Sequence, residues 1–264
     1  MSLDTPMTTP HPTAELRLAT ELLRKARRVT VFCGAGISQA SGIPTYRDAV
    51  GLWTSDDNLR LSHVDAYKAN PRAFAAFWAA RTAQMKSVMP NRAHEALSGL
   101  QGLRKTAIVT QNVDGLLTQA GCGAVLELHG NISKHRCDVC GTKGGRAFVG
   151  RCLGCWKPIR PDVVLFGEQL DKQVFVEAQV AASECDVMLV VGTSVVVEPA
   201  ASLPVTAMQF GAGIIVMNTE ETPFDRAADV VLRGKAEVLL PELIDRLRTG
   251  EESDKLLKSV FSPR

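Results

Sequence analysis

The sequence predicts an α/β protein: a Rossmann-like parallel sheet domain beside a small lobe made of a helical insert and a zinc ribbon. Three observations predict it. Short, nearly continuous apolar runs recur along the chain, most of them separated by stretches long enough for a helix, which is the pattern of parallel strands covered on both faces. The first run stops on a glycine loop. Two stretches break the rhythm: 51–102 has helical patterns and no clear strand, and 134–160 is rich in Cys, Gly, Lys and Arg with little to bury. Composition agrees. Of 264 residues, 45% are hydrophobic and 22% charged, enough for a sizeable core and unlike a disordered chain. A net charge of +2 implies neither a nucleic-acid nor a membrane partner by itself. No apolar run approaches the ~18–20 residues of a membrane span.

Taken in order, residues 1–12 hold three prolines and three threonines and read as a flexible tail. Thr13 reads as a helix N-cap, followed by an apolar face of Leu16, Leu22 and Leu23. Val29–Cys33 is a buried strand ending at Gly34. The later runs are Ala107–Thr110, Val125–Leu128, Val163–Phe166, Val187–Val191, Ile214–Met217 and Val230–Leu232. The predicted organisation is a sheet domain of 13–50, 103–133 and 161–250, a helical or lid insert of 51–102, a zinc-binding insert of 134–160 and a C-terminal tail of 251–264. In that tail a weak stripe of Leu256, Leu257, Val260 and Phe261 suits a final helix or a loose end. No internal repeat is present. The start carries no basic segment followed by an apolar stretch, so no secretory signal is expected.

Seven cysteines, an odd number, argue against a secreted disulfide framework and for the cytoplasm. Four form two Cys-x-x-Cys pairs, Cys137/Cys140 and Cys152/Cys155. Each turn brings two sulfurs to one metal. Four thiolates close a tetrahedral shell, so the expected zinc is structural. Bound as thiolates to one Zn²⁺, they would bring the net charge from +2 to about zero. A redox dithiol is the other reading. His135 adjoins the cluster, but four cysteines already fill a site. Cys33, Cys122 and Cys185 read as ordinary buried thiols.

The loop Gly34-Ala35-Gly36-Ile37-Ser38 follows the first strand, and glycines there let the backbone approach a pyrophosphate. Gln39 stands where the usual dinucleotide fingerprint has its third glycine, so a plain tight turn stays open. Ser41 to Asp48 then bring Gly, Pro, Tyr46 and Arg47 close together, a composition suited to a structured lid whose Arg binds an anion. Gly192-Thr193-Ser194 follows another strand, as a second anion nest or a turn. Asn112 and Asp114 lie two apart and face one way on extended chain, unless they form an Asx turn capping a helix. His129 ends an apolar strand, where open α/β sheets place ligands, and its imidazole titrates near neutral pH.

These motifs together resemble the sirtuins, NAD-dependent protein lysine deacylases, here of prokaryotic type. The glycine loop through Arg47 resembles their cofactor loop. Thr110-Gln111-Asn112-Val113-Asp114 looks like the nicotinamide-pocket motif, Leu128-His129-Gly130 the catalytic histidine motif, and Val163-Val164-Leu165-Phe166-Gly167-Glu168 the substrate strand and loop. Gly192-Thr193-Ser194, with Val197 to Ala200, looks like a second cofactor loop, and Asn218 like an adenosine-ribose contact. The resemblance runs from about residue 20 to about residue 245. It implies NAD⁺ as co-substrate, one structural zinc and acyl-lysine peptides as partners. It implies a reaction in which the acyl oxygen attacks C1′ of the nicotinamide ribose, nicotinamide leaves and the acyl group ends on ADP-ribose. Asp114 would hold the carboxamide, Asn112 would order the ribose and its water, and His129 would be the base. Val163–Glu168 would pair with an extended peptide. A monomer is favoured, with neither membrane nor direct nucleic-acid binding evident.

One branch of the family removes succinyl and malonyl groups with a Tyr and an Arg three apart on a helix. Here Arg81 matches and Trp78 replaces the Tyr. An acid-acyl pocket, an apolar acyl pocket and simple packing all stay open. The competing functions are mono-ADP-ribosyl transfer and, less favoured, a non-enzymatic NAD sensor.

Overall fold

The computed structural model describes residues 13–45, 60–145 and 151–261. The main sheet has six parallel strands in the order β3-β2-β1-β7-β8-β9. These are β1 (Arg28–Cys33), β2 (Lys105–Thr110), β3 (Val125–Glu127), β7 (Val187–Val191), β8 (Gly213–Asn218) and β9 (Val230–Arg233). The chain winds outward from β1 to β3, then returns beside β1 and winds the other way. The switch point therefore lies between β1 and β7.

Period-two side chains feed two cores. Val29, Val31 and Cys33 of β1, with Val187, Leu189 and Val191 of β7, pack against α1 (Thr13–Lys25), α4 (Arg92–Leu103) and α8 (Ala236–Phe261). Phe32, Met188 and Val190 face α6 (Lys172–Glu184) and α7 (Ser202–Gln209) on the other side. Asp171 starts α6 by accepting the Gln173 and Val174 N–H groups at 3.0 and 3.4 Å.

The second sheet is antiparallel, in the order β5-β4-β6: β4 (Gly130–Arg136), β5 (Lys143–Gly145) and β6 (Arg160–Val163). Two helices, the short α2 (Val64–Ala69) and the longer α3 (Pro71–Met85), lie beside it. Phe74 and Trp78 of α3 share a small core with Ile132, Val163 and Leu165.

Two boundaries differ from the sequence reading. The helical insert was set at 51–102, yet Ala93, Leu97 and Leu100 of α4 are buried in the main core, so α4 belongs to the sheet's helical layer. Val163–Phe166 was read as one run among the parallel strands. Instead the strand is Arg160–Val163, antiparallel to β4. Its first residues are buried through ion pairs, which a scan for apolar runs does not see. Of the two readings of the C-terminal tail, a final helix or a loose end, the helix is the one found: the backbone of α8 continues past residue 250 to Phe261. Among the described residues, no helix is long and apolar enough to cross a membrane.

Candidate active site

The carboxyl ends of five parallel strands converge on the switch point, where open α/β sheets hold ligands. β1 ends at Gly34, β7 at Gly192, β2 at Gln111–Asp114 and β8 at Asn218, and His129 follows β3. The two glycine loops touch. Gly36 N–H donates to Gly192 O at 2.8 Å and Gly34 N–H to Val191 O at 3.1 Å. A Cβ on Gly36 would lie 2.7 Å from Gly192 Cα, and one on Gly192, at φ +58°, would lie 2.7 Å from Ile37 N. These glycines are therefore required by backbone meeting backbone, in addition to any approach to a phosphate. A cleft opens beside them, lined by Gly36, Gln39, Gly192, Asn218, Gly234 and Lys235 among others.

Below it runs a hydrogen-bonded chain. Ser38, 1% exposed, donates its hydroxyl to Asp114 Oδ2 at 2.8 Å and accepts from Asn112 Nδ2 at 3.1 Å. Asn112 Nδ2 also reaches Gly34 O at 3.1 Å. The other Asp114 oxygen accepts Leu116 N–H at 2.9 Å, an Asx turn that leads through the N-cap Gly115 into α5 (Leu116–Gln119). The Asx turn expected at Asp114 is therefore formed. Burial raises the Asp114 pKa, with Leu116 N–H and Ser38 opposing.

His94 lies in α4, within the stretch 51–102 expected to form the insert. It is fully buried, 3.3 Å from Ser38 through Nε2. Its Nδ1 accepts Asn91 N–H at 3.2 Å, so the proton sits on Nε2 and points at Ser38. The legible signal was Asn91-x-x-His94, an N-cap followed at the third helical position by a side chain that closes a capping box. Burial holds its pKa down to about 4.

His129 Nδ1 lies 2.8 Å from Gln111 O. A carbonyl only accepts, so Nδ1 carries the hydrogen and Nε2 the lone pair. Burial pulls its pKa below the usual histidine range, and the Gln111 carbonyl opposes this. Gln111 Nε2 donates to Thr193 Oγ1 at 2.8 Å, which joins the β2 and β7 loops. Ser194 is half-exposed beside it, as is Asn218 at the end of β8. Ala35 opens the turn between the glycines. Tyr46 and Arg47 lie outside the described residues.

The Sγ atoms of Cys137, Cys140, Cys152 and Cys155 all lie within 4.8 Å of one another. Cys137–Cys155 and Cys140–Cys152 are 3.4 and 3.5 Å apart. A tetrahedral thiolate site with Zn–S near 2.3 Å has sulfurs about 3.8 Å apart, so the cluster fits one zinc ion. The two turns are built alike. Cys137 N–H bonds Thr142 O and Gly141 N–H bonds Cys137 O; Cys152 N–H bonds Lys157 O and Trp156 N–H bonds Cys152 O. The matching left-handed residues are Gly141 at φ +73° and Trp156 at φ +62°. His135 is not part of the cluster. Burial pushes the Cys33 and Cys122 thiols up to about 12 and about 11, so neither is a nucleophile at neutral pH.

On the segment read as substrate-binding, Val163 and Leu165 are buried, Val164 is half-buried, and Phe166 and Gly167 are exposed. Val164 N–H donates to His129 O at 2.8 Å. Phe166 N–H and C=O are taken by Ser62 O and Val64 N–H, each at 3.0 Å, so this residue already pairs within the chain. Glu168 binds Arg136, Arg160 and Leu165 N–H, which makes it an internal anchor of the loop. Trp78 is 4% exposed and its indole N–H donates to Leu61 O at 3.3 Å. The Arg81 guanidinium lies 4.7 Å over the Phe77 ring.

Comparison with known proteins agrees with this geometry. The model of the Sir2 family matches residues 34–199. An NAD-dependent protein deacylase of Ralstonia nicotianae is 43% identical over 230 residues, 84% of this chain and 93% of that one. An NAD-dependent protein deacylase of Thermococcus kodakarensis is 41% identical over 244 residues, 87% and 95% of the two chains. A Sir2 homolog–NAD complex superposes with a TM-score of 0.83 at 36% identity, covering 89% of this chain and 94% of that one. Sir2Af2 bound to a myristoylated histone peptide gives 0.74 at 33% identity, covering 91% and 99%. The chain belongs to the Sir2 family. Its activity is NAD-dependent protein deacylation, with NAD⁺ as co-substrate and one zinc site.

Proposed function

We propose that this enzyme removes uncharged acyl groups from lysine, with His129 as the base and Asn112 and Asp114 as the residues that order the co-substrate. The observation that carries the assignment is the His129–Gln111 hydrogen bond, 2.8 Å long, which leaves Nε2 as the acceptor at the carboxyl end of the sheet. Its lowered pKa keeps the ring neutral at pH 7, ready to take the proton of a ribose hydroxyl. Asn112 donates to Gly34 O and Ser38 Oγ, which fixes its amide and leaves Oδ1 as an acceptor for a hydroxyl or a water. Asp114 is fixed by Ser38 and Leu116, ready to accept the carboxamide N–H of nicotinamide. The backbone of Gly34–Ser38 and Gly192–Ser194, with Tyr46 and Arg47, is our assignment for the phosphates and riboses, and Asn218 for the far ribose. NAD⁺ supplies the electrophilic ribosyl carbon, and these residues bind it, orient it and move its proton.

The peptide is assigned to the loop Val163–Glu168. Phe166 and Gly167 form its surface and Val164 ties it to His129. Preference for an uncharged acyl group is supported by Trp78, whose only N–H is bonded to Leu61 O, and by the apolar cluster around it. A cytoplasmic location is supported by seven unpaired thiols, four of them gathered for a metal.

The test is mass spectrometry of products from NAD⁺ and one peptide carrying acetyl-, butyryl- or succinyl-lysine. Nicotinamide, free-lysine peptide and O-acyl-ADP-ribose should form in equal amounts, with succinyl-lysine slowest. Succinyl-lysine fastest, with selective loss in Arg81→Met, would instead give Arg81 to the acyl carboxylate. An intact acyl-peptide with a protein mass gain of one ADP-ribose would mean mono-ADP-ribosyl transfer.

A further inference from the structure

The ion pairs at the base of the cysteine lobe make one connected path from the metal cluster to the loop assigned to the peptide. Asp138 lies inside the first Cys-x-x-Cys turn. Its Oδ2 accepts from Arg160 Nε at 2.7 Å and its Oδ1 from Arg136 Nε at 3.1 Å. Arg160 is 1% exposed. Its Nη1 donates to Val163 O at 2.9 Å, and its Nη2 donates to Glu168 Oε1. Arg136 Nη2 reaches both Glu168 oxygens, at 3.0 and 2.9 Å. Glu168 Oε2 in turn accepts Leu165 N–H at 2.9 Å. Main-chain atoms at both ends of Val163–Leu165 are thus fastened to side chains that are themselves fastened to the metal turn. The Tyr67 ring of α2 lies 5.3 Å from the Arg160 guanidinium carbon.

A guanidinium is planar and its donors are fixed in direction, so it relays position as well as charge. It is also costly to bury unless each carboxylate stays in place. When Asp138 shifts with the cysteine turn, Arg160 must follow, and Val163 O and Glu168 follow Arg160. The NAD side of the site hangs from β1, β2 and β7 and meets this path at Val164, whose N–H donates to His129 O at 2.8 Å.

We infer that Arg160, braced by Asp138, is a positioning residue that sets the peptide loop from the cysteine cluster, so that metal occupancy governs peptide affinity separately from NAD⁺ affinity. The inference rests on the assignment of the peptide to Val163–Glu168. A purely structural role would instead lower every kinetic constant together.

The experiment compares the zinc-loaded wild type with Asp138→Asn, Arg160→Lys and Arg160→Met, and with wild type stripped by a chelator. Zinc content is read with a chromogenic chelator, and binding of acetyl-lysine peptide and of NAD⁺ by fluorescence anisotropy and calorimetry. Asp138→Asn should keep one zinc per chain and raise the peptide Kd and KM roughly tenfold, with kcat and the NAD⁺ KM within about twofold. Arg160→Lys should fall between wild type and Arg160→Met. Stripped wild type should lose peptide binding and keep NAD⁺ binding. If Arg160→Met does not fold, Asp138→Asn decides, because its carboxylate is one-third exposed. An unchanged peptide KM in Asp138→Asn, or an equal fall in all constants, overturns the inference. A wild type that binds no acyl-peptide overturns the peptide assignment beneath it, a failure visible before any variant is made.

Discussion

The parallel sheet and the cysteine lobe are held together by opposite means. The sheet has an apolar cluster on each face, and every residue of β7 is buried. Among the described residues, the apolar cluster at the heart of the lobe is Cys137, Cys152 and Ile159, with Cys155 packed against it. Three of those four are metal-site cysteines. Beyond them the cysteine turns are held by ion pairs such as Arg160–Asp138, 2.7 Å, while Ile132 of β4 and Val163 of β6 pack on Phe74 and Trp78. The hydrophobic effect holds the sheet that carries the glycine loops and His129, whereas sulfur and charge hold the two cysteine turns. A domain too small to bury its own core commonly depends on metal in this way.

Several variants would sharpen or break that contrast. The largest effect belongs to the sheet side: His129→Ala should lower turnover by about 10²–10⁴ while zinc content and NAD⁺ binding persist. Full activity in that variant would remove His129 from the chemistry. Next, chelation of zinc, or Cys137→Ser, should abolish amide protection through β4 and β6 and spare β1, β7 and β8, read by hydrogen exchange. Unchanged protection after complete zinc removal would make the lobe independent of metal.

A third effect follows from pH. The buried His94 titrates at about 4 in the folded state, whereas a free histidine titrates near 6.5. The unfolded chain therefore binds the proton first as pH falls. Stability from this group is complete above about 6.5 and is lost progressively down to about 4, with a total of about 3 kcal/mol. His129, whose pKa is also lowered, acts in the same direction. Urea unfolding between pH 7 and pH 4 should show this slope in wild type and a shallower one in His94→Gln; equal slopes would refute the assignment. The smallest effect is Trp156→Gly. It removes a left-handed backbone penalty of about 1 kcal/mol and should slow zinc release slightly. Faster release would mean that the Trp156 side chain holds the turn.

Much of this was legible in the sequence for local reasons. Strands such as Val187–Val191 are apolar throughout, glycines mark the loops between strand and helix, and paired cysteines announce their metal by spacing alone. What escaped depends on partners distant in the chain. The Ser38 hydroxyl is bonded to Asp114 and Asn112, residues more than seventy positions away. Glu168 looked like a substrate residue and is bound to Arg136 and Arg160. The burial of Arg160-Pro161-Asp162 rests on charges from other elements. Only the folded chain brings such groups together.

The contact between Gly36 and Gly192 has a consequence for how the enzyme tolerates change. In most packed pairs a larger residue on one side is accommodated by a smaller one opposite. Here each position already holds the smallest residue, and the space a side chain would take is filled by the other's backbone. No compensating substitution exists, so the floor of the crevice has a width that mutation cannot adjust in steps. Any reshaping of the cleft therefore has to work from its walls, at side chains such as Gln39, Asn218 and Lys235, over a floor that stays fixed.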